Sequence, residues 1–197
     1  MDVSGQSARS LLASLALAAC ALLFGAGCGA AATAPPKPPP CDAECKDGVA
    51  IKALRETTKL AFNLTLQGKP VGTHDVTTPC PQGGAARVFG TATSNALQGA
   101  TEVKLTYVLA DCSYLFKDED AEDNYSMTIS GMITQEGILA VQPTATSAII
   151  MRSDLVKMSG TVYDPPLEYT AECPVELGQN GNKLTGKICG REAKTDL

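Results

Sequence analysis

The sequence predicts an α+β fold that is mainly β. One N-terminal amphipathic helix packs on a curved antiparallel meander of about seven strands, stapled by disulfides. Three observations predict it. Apolar residues recur at helical spacing across residues 49–64. After Pro81 the period switches to two, which gives each segment one apolar and one polar face. Of the eight cysteines, two lie in an apolar leader, and the remaining six are an even set suited to an oxidising compartment.

The leader comes first. Residues 10–36 carry no charge and follow Arg9, so the start of the chain has the layout of an export signal. Cysteines stand at two positions where it could end. Leu17, Ala18 and Ala19 before Cys20 resemble the bacterial lipobox closely, whereas Gly25, Ala26 and Gly27 before Cys28 depart from it at Gly25. Acylation at Cys20 would leave the apolar ALLFGAG in the mature chain and Cys28 as a spare thiol, so Cys28 is the expected lipidation site and Cys20 the second choice. The stretch exceeds the ~20 residues that span a membrane, so a retained anchor is the alternative; the small residues beside Cys28 and the interrupting Gly25, Gly27 and Gly29 favour the lipoprotein. The expected division is a signal peptide over 1–27, a lipidated cysteine and proline-rich tether over 28–40, and one β-rich domain over 41–197. The tether GAAATAPPKPPP ends as polyproline II, at about 3.1 Å per residue. Gly29 stands where enteric lipoproteins kept at the inner membrane carry Asp, and that resemblance points to the outer membrane.

From Cys41 to Gly68 the chain reads as a single helix. Val49, Ala53, Thr57, Leu60, Ala61 and Leu64 form its core face, with Cys45 continuing it, and Lys46, Lys52, Arg55, Glu56 and Lys59 form the wet side. Gly48 weakens it and Gly68-Lys69-Pro70 ends it. VGTHDVTTPC follows as a loop carrying His74, the chain's one histidine. Strands are expected at 85–94, at EVKLTYVLADC, at YSMTISGMI, and at 147–152, 155–163, 167–177 and 183–190. A sheet of that size curls into a concave surface or a partial barrel.

Cys80-Pro81-x-Gly83-Gly84, Phe89-Gly90-Thr91, Leu105-Thr106-Tyr107 leading to Cys112, Ser159-Gly160-Thr161-Val162 and Cys173 with Gly186-Lys187-Ile188-Cys189-Gly190 resemble a recurrent, uncharacterised bacterial lipoprotein domain. The resemblance covers most of residues 45–190 and implies an exported β-rich domain with cross-strand disulfides. It implies no activity.

Six cysteines allow fifteen pairings. The expected set is Cys80–Cys112, which closes the first hairpin region and contributes roughly 3–4 kcal/mol, then Cys173–Cys189, and Cys41–Cys45 if Cys41 lies at or outside the helix start. A two-residue Asn180-Gly181 turn would set Leu177 opposite Leu184 and Val175 opposite Gly186, and would leave Cys173 one residue short of Cys189, so a bulge is expected there.

Several chemistries lack their residues. One histidine and no C-x-x-C leave no zinc set, so no metal or cofactor is expected. The acidic run KDEDAEDN (117–124) lacks the Gly and the distal Glu of an EF-hand and reads as a solvated loop. No G-x-S-x-G elbow or spaced carboxylate pair identifies catalytic residues, so no enzyme is expected. A net charge of −5 without a basic block argues against nucleic acid. Two readings remain: a lipid-anchored interaction or structural module of the envelope, tied to the bilayer through an acylated cysteine and meeting an unknown envelope protein, or a carrier of an apolar ligand. Met127, Met132, Met151 and Met158 motivate the second, because flexible thioethers suit adaptable pockets.

Overall fold

In a computed structural model, residues 41–69, 71–95, 100–140 and 146–197 are described. Cys20, Cys28 and the tether lie outside them. The helix α1 (Ala43–Thr65) is followed by eight antiparallel strands: β1 (Gly72–Pro79), β2 (Ala85–Asn95), β3 (Ala100–Phe116), β4 (Tyr125–Ala140), β5 (Ala148–Val162), β6 (Leu167–Asn180), β7 (Lys183–Ile188) and β8 (Arg191–Asp196). They form one sheet in chain order, β1 to β8, whose end strands do not pair with each other. The sheet is therefore an open meander, not a closed barrel. The helix packs on its inner face, with β8 its foremost neighbour.

The helix begins where local chemistry can satisfy its first amides. Asp42 is the N-cap, its carboxylate accepting from the Cys45 amide at 3.0 Å. Cys41 stands just outside the helix start and is joined to Cys45 across the cap. Gly48 is a contact residue: a Cβ there would lie 2.9 Å from the Lys194 carbonyl oxygen, so its absence lets α1 lie close against β8. The buried arc of α1 is wider than one amphipathic stripe. It includes Asp47, Ile51, Leu54, Arg55 and Thr58, while Leu64 is 52% exposed. Arg55 thus leaves the polar side to which its spacing assigned it, because the curved sheet covers the helix from two directions.

Among the described residues the strands number eight. β1 replaces the expected loop at 72–79, and β8 is a further strand at the end of the chain. The segments at 147–152 and 155–163 are one strand with a register shift between Ser153 and Val156. Another shift lies between Leu109 and Cys112, where Asp111 takes a left-handed φ of 49°. The Cys80-Pro81-x-Gly83-Gly84 turn folds onto this bulge: Ser113 N donates to the Gly83 carbonyl at 2.9 Å, Gln82 N donates to Ser113 O at 3.1 Å, and a disulfide joins Cys80 to Cys112.

The last hairpins correct the expected register. The β6–β7 loop is Gly181-Asn182, so Leu177 faces Gly186 and Val175 faces Ile188. Gly181, with φ 62°, supplies the left-handed residue at the first loop position. No bulge falls inside the hairpin. The chain leaves β7 at Cys189 (φ 54°), whose amide donates to the Pro174 carbonyl at 3.1 Å, and the disulfide to Cys173 closes there.

The inner face and α1 share a core that includes Ile51, Leu54, Leu105, Ile133, Met158 and Leu184. The outer face carries cross-strand ion pairs such as Lys104–Glu136 and Arg152–Glu176, each worth at most about 1 kcal/mol when exposed. Burial raises the pKa of the Tyr107, Tyr125 and Tyr169 phenols above the ordinary tyrosine value, with the Asp47 hydrogen bond adding to the effect at Tyr169. In the unfolded chain these phenols ionise near pH ~10. Above that pH the native state holds protons that the unfolded state has released, so stability falls as pH rises. Three such groups give a slope of up to about 4 kcal/mol per pH unit. Urea midpoints are expected to be level up to pH ~10 and to drop steeply beyond it; a level profile through pH ~11.5 would show that the phenols ionise without unfolding the domain.

Candidate functional site

Between the second half of α1 and the inner face of the sheet lies a cavity of about 570 Å³. Arg55, Phe62 and Leu66 line it from the helix; Ala92, Tyr107 and Gln135 line it from the sheet. One inward row runs Ala92, Val103, Gly137, Ile149, Gln179, and its two end members, Ala92 and Gln179, line the cavity.

Arg55 is 4% exposed. Its Nε donates to Gln179 Oε1 at 2.5 Å, and Gln179 is itself oriented by donating from Nε2 to the Gly181 carbonyl at 2.7 Å. Among the described residues there is no hydrogen-bond partner for Arg55 Nη1, for the Tyr107 hydroxyl, or for either amide atom of Gln135. Tyr107 and Gln135 are 0% and 1% exposed. Among the described residues no carboxylate forms an ion pair with Arg55, and the sequence at 96–99 and 141–145 contains no acidic residue. Loss of hydration is the main influence on Arg55 and lowers its pKa, opposed by the charge of Glu56. A guanidinium nevertheless stays protonated in a protein. The site therefore holds a buried positive charge with open hydrogen-bonding capacity, a combination that costs several kcal/mol unless something compensates it.

Comparison with protein-family models, curated proteins and solved structures finds no match. The site must be read from its own chemistry.

The residues singled out in the sequence fall in different places. His74 is on β1, half-buried, and lines the cavity. The methionines do not line it: Met127, Met151 and Met158 are core residues and Met132 is 56% exposed. The acidic run folds around Asn124, which accepts from the Asp118 amide and donates to the Asp118 and Ala121 carbonyls. Asp123 pairs with Lys52 and Glu122 accepts from the Tyr163 hydroxyl. Among the described residues no cluster of His, Cys, Asp and Glu could hold a metal ion, and no helix is long and apolar enough to cross a membrane.

Arg55, Gln135 and Gln179 are absent from the sequence-derived candidates, although the last two leave a trace. Gln135 follows Ile133 and Gln179 follows Leu177 at a spacing of two, which puts a polar amide in the apolar phase of each strand. Such a residue must be buried, so it needs a reason.

Proposed function

We propose that this chain is a non-catalytic binding protein of the cell envelope, lipid-anchored at Cys28 and held at the outer membrane, with a small ligand in the cavity beneath α1. The observation that carries this reading is the cavity itself: its volume of about 570 Å³ is within the range of small-molecule sites, and its lining includes Arg55, Tyr107 and Gln135, each with a buried polar atom that has no partner among the described residues. The mixed lining favours an amphipathic ligand over the purely apolar one that the methionines suggested. The order of the chain supports the anchor, since the proline-rich spacer places an export leader on one side and the folded domain on the other.

Mass spectrometry on the full chain, exported and extracted gently from membranes, tests both parts. Under denaturing conditions the mass is expected to correspond to a chain beginning at an acylated Cys28. Under native conditions it is expected to show a one-to-one adduct of small-molecule mass. An unprocessed chain overturns the anchor, and a bare native mass together with no uptake of added amphiphiles overturns the binding role.

A further inference from the structure

The charge of the cavity identifies the class of ligand. The chain as a whole is acidic, with 21 Asp and Glu against 16 Lys and Arg. Yet among the described residues lining the cavity there is no acidic side chain, and Arg55, Lys59, Lys69 and His74 are all basic. Lys59 is paired with Glu56 at 3.2 Å. The innermost of the four, Arg55, has its Nε committed to Gln179, while Nη1 has no partner among the described residues. Two further hydrogen-bonding groups without a partner among the described residues, the Tyr107 hydroxyl and the Gln135 amide, belong to residues that line the same cavity. The guanidinium N–H, the phenol O–H and the Gln135 Nε2–H are donors that suit an oxyanion, while Gln135 Oε1 is an acceptor. Phe62, Leu66, Val71 and Leu139, which also line the cavity, present apolar surface.

We infer that the cavity takes a ligand with an anionic head group, a carboxylate or phosphate, on a short apolar chain: the head accepts from Arg55, Tyr107 and Gln135, and the chain lies along Phe62, Leu66, Val71 and Leu139. This rests on the cavity being the binding site proposed above. The inference also accounts for a residue that is otherwise hard to explain. A buried arginine without a counter-ion weakens the fold, and methionine would fill similar space at lower cost; a bound anion removes the penalty. Binding and stability are therefore opposed at this position.

Calorimetric titration separates the head from the tail. The full chain in nanodiscs is titrated with octanoate, octyl phosphate and octanol, which share a tail, with empty nanodiscs as the blank. At least one of the two anions is expected to bind ~10-fold or more tighter than octanol, the range of a hydrogen bond to a charged group. The tighter anion distinguishes carboxylate from phosphate. In Arg55→Met the preference is expected to fall within about 2-fold while octanol binding persists, and the ligand-free melting temperature is expected to equal or exceed the parent's. Arg55→Lys, which keeps the charge without the planar fork, is expected to retain part of the preference and serves if the methionine variant does not fold. Equal binding of all three heads overturns the anionic ligand and leaves the cavity as a binding site. No binding of any head above the blank overturns both.

Discussion

Replacing Gly137 by valine is expected to prevent the domain from folding stably. Gly137 faces inward on β4 with φ +124°, and a Cβ there would lie 2.3 Å from the Ala148 carbonyl oxygen and 3.0 Å from the Ile149 Cα. Both obstacles are backbone atoms of the neighbouring strand, so neither can swing away. Relief requires β4 and β5 to separate where they are paired, Gly137 with Ile149. Backbone strain alone costs about 1–3 kcal/mol, and with the clash the loss should exceed about 4 kcal/mol. Gly178 on β6 is the internal control. It has no positive φ, its Cβ would meet nothing nearer than 4.0 Å, and valine suits an open strand position. Gly178→Val is expected to stay within about 0.5 kcal/mol of the parent in urea unfolding, while Gly137→Val gives little soluble, cooperatively unfolding protein. Similar midpoints for the two would mean that the sheet accepts a side chain at residue 137 by flattening.

The second large effect is expected at Asp47. Its carboxylate, 2% exposed, accepts from the Tyr169 hydroxyl at 2.9 Å and from Arg191 Nε and Nη2 at 2.7 and 2.8 Å. This is a bidentate fork plus a phenol, and it ties the first turns of α1 to β6 and β8. Asp47→Ala should cost about 2–3 kcal/mol. That lies below the range for breaking a fully buried pair because Arg191, 52% exposed, can be rehydrated. Asp47→Asn keeps the shape and one acceptor and should cost about 1–2 kcal/mol. In a double-mutant cycle Asp47→Ala with Arg191→Ala should fall short of additivity by about 1 kcal/mol or more. Additive losses would show that the fork contributes only by filling space.

Period-two alternation made the central strands legible because each has a wet face and a dry one, as in Val103, Leu105, Tyr107 and Leu109 of β3. The edge strands escaped the same test for a physical reason. β1 turns only His74, Val76 and Thr78 partly inward, and β8 buries only Ala193, so neither carries an apolar alternation to detect. Natural sheets keep their edges polar, which hides them from a pattern search based on burial. Arg55 was misplaced by the opposite error. A stripe argument assumes that a helix has one neighbour, but α1 contacts strands from both ends of the sheet, so charged residues at the stripe's border become interior. Gln135 and Gln179, polar residues in the apolar phase, were the available clue, and their meaning emerges only when the register places Arg55 beside them.

The fork at Asp47 has a consequence for how the chain is completed. In a meander every strand pairs with the one made just before it, so most of the sheet can assemble in order of synthesis. The exception is the helix, made first, whose buried carboxylate meets its guanidinium partner only 144 residues later. A chain released before Arg191 retains seven strands but leaves that carboxylate uncompensated and the Gly48 surface of α1 without β8. Final docking of the helix thus waits for β8. A domain without β8 is expected to hold α1 loosely and to expose it to proteolysis, whereas the full sheet packs β8 against the first turns of α1.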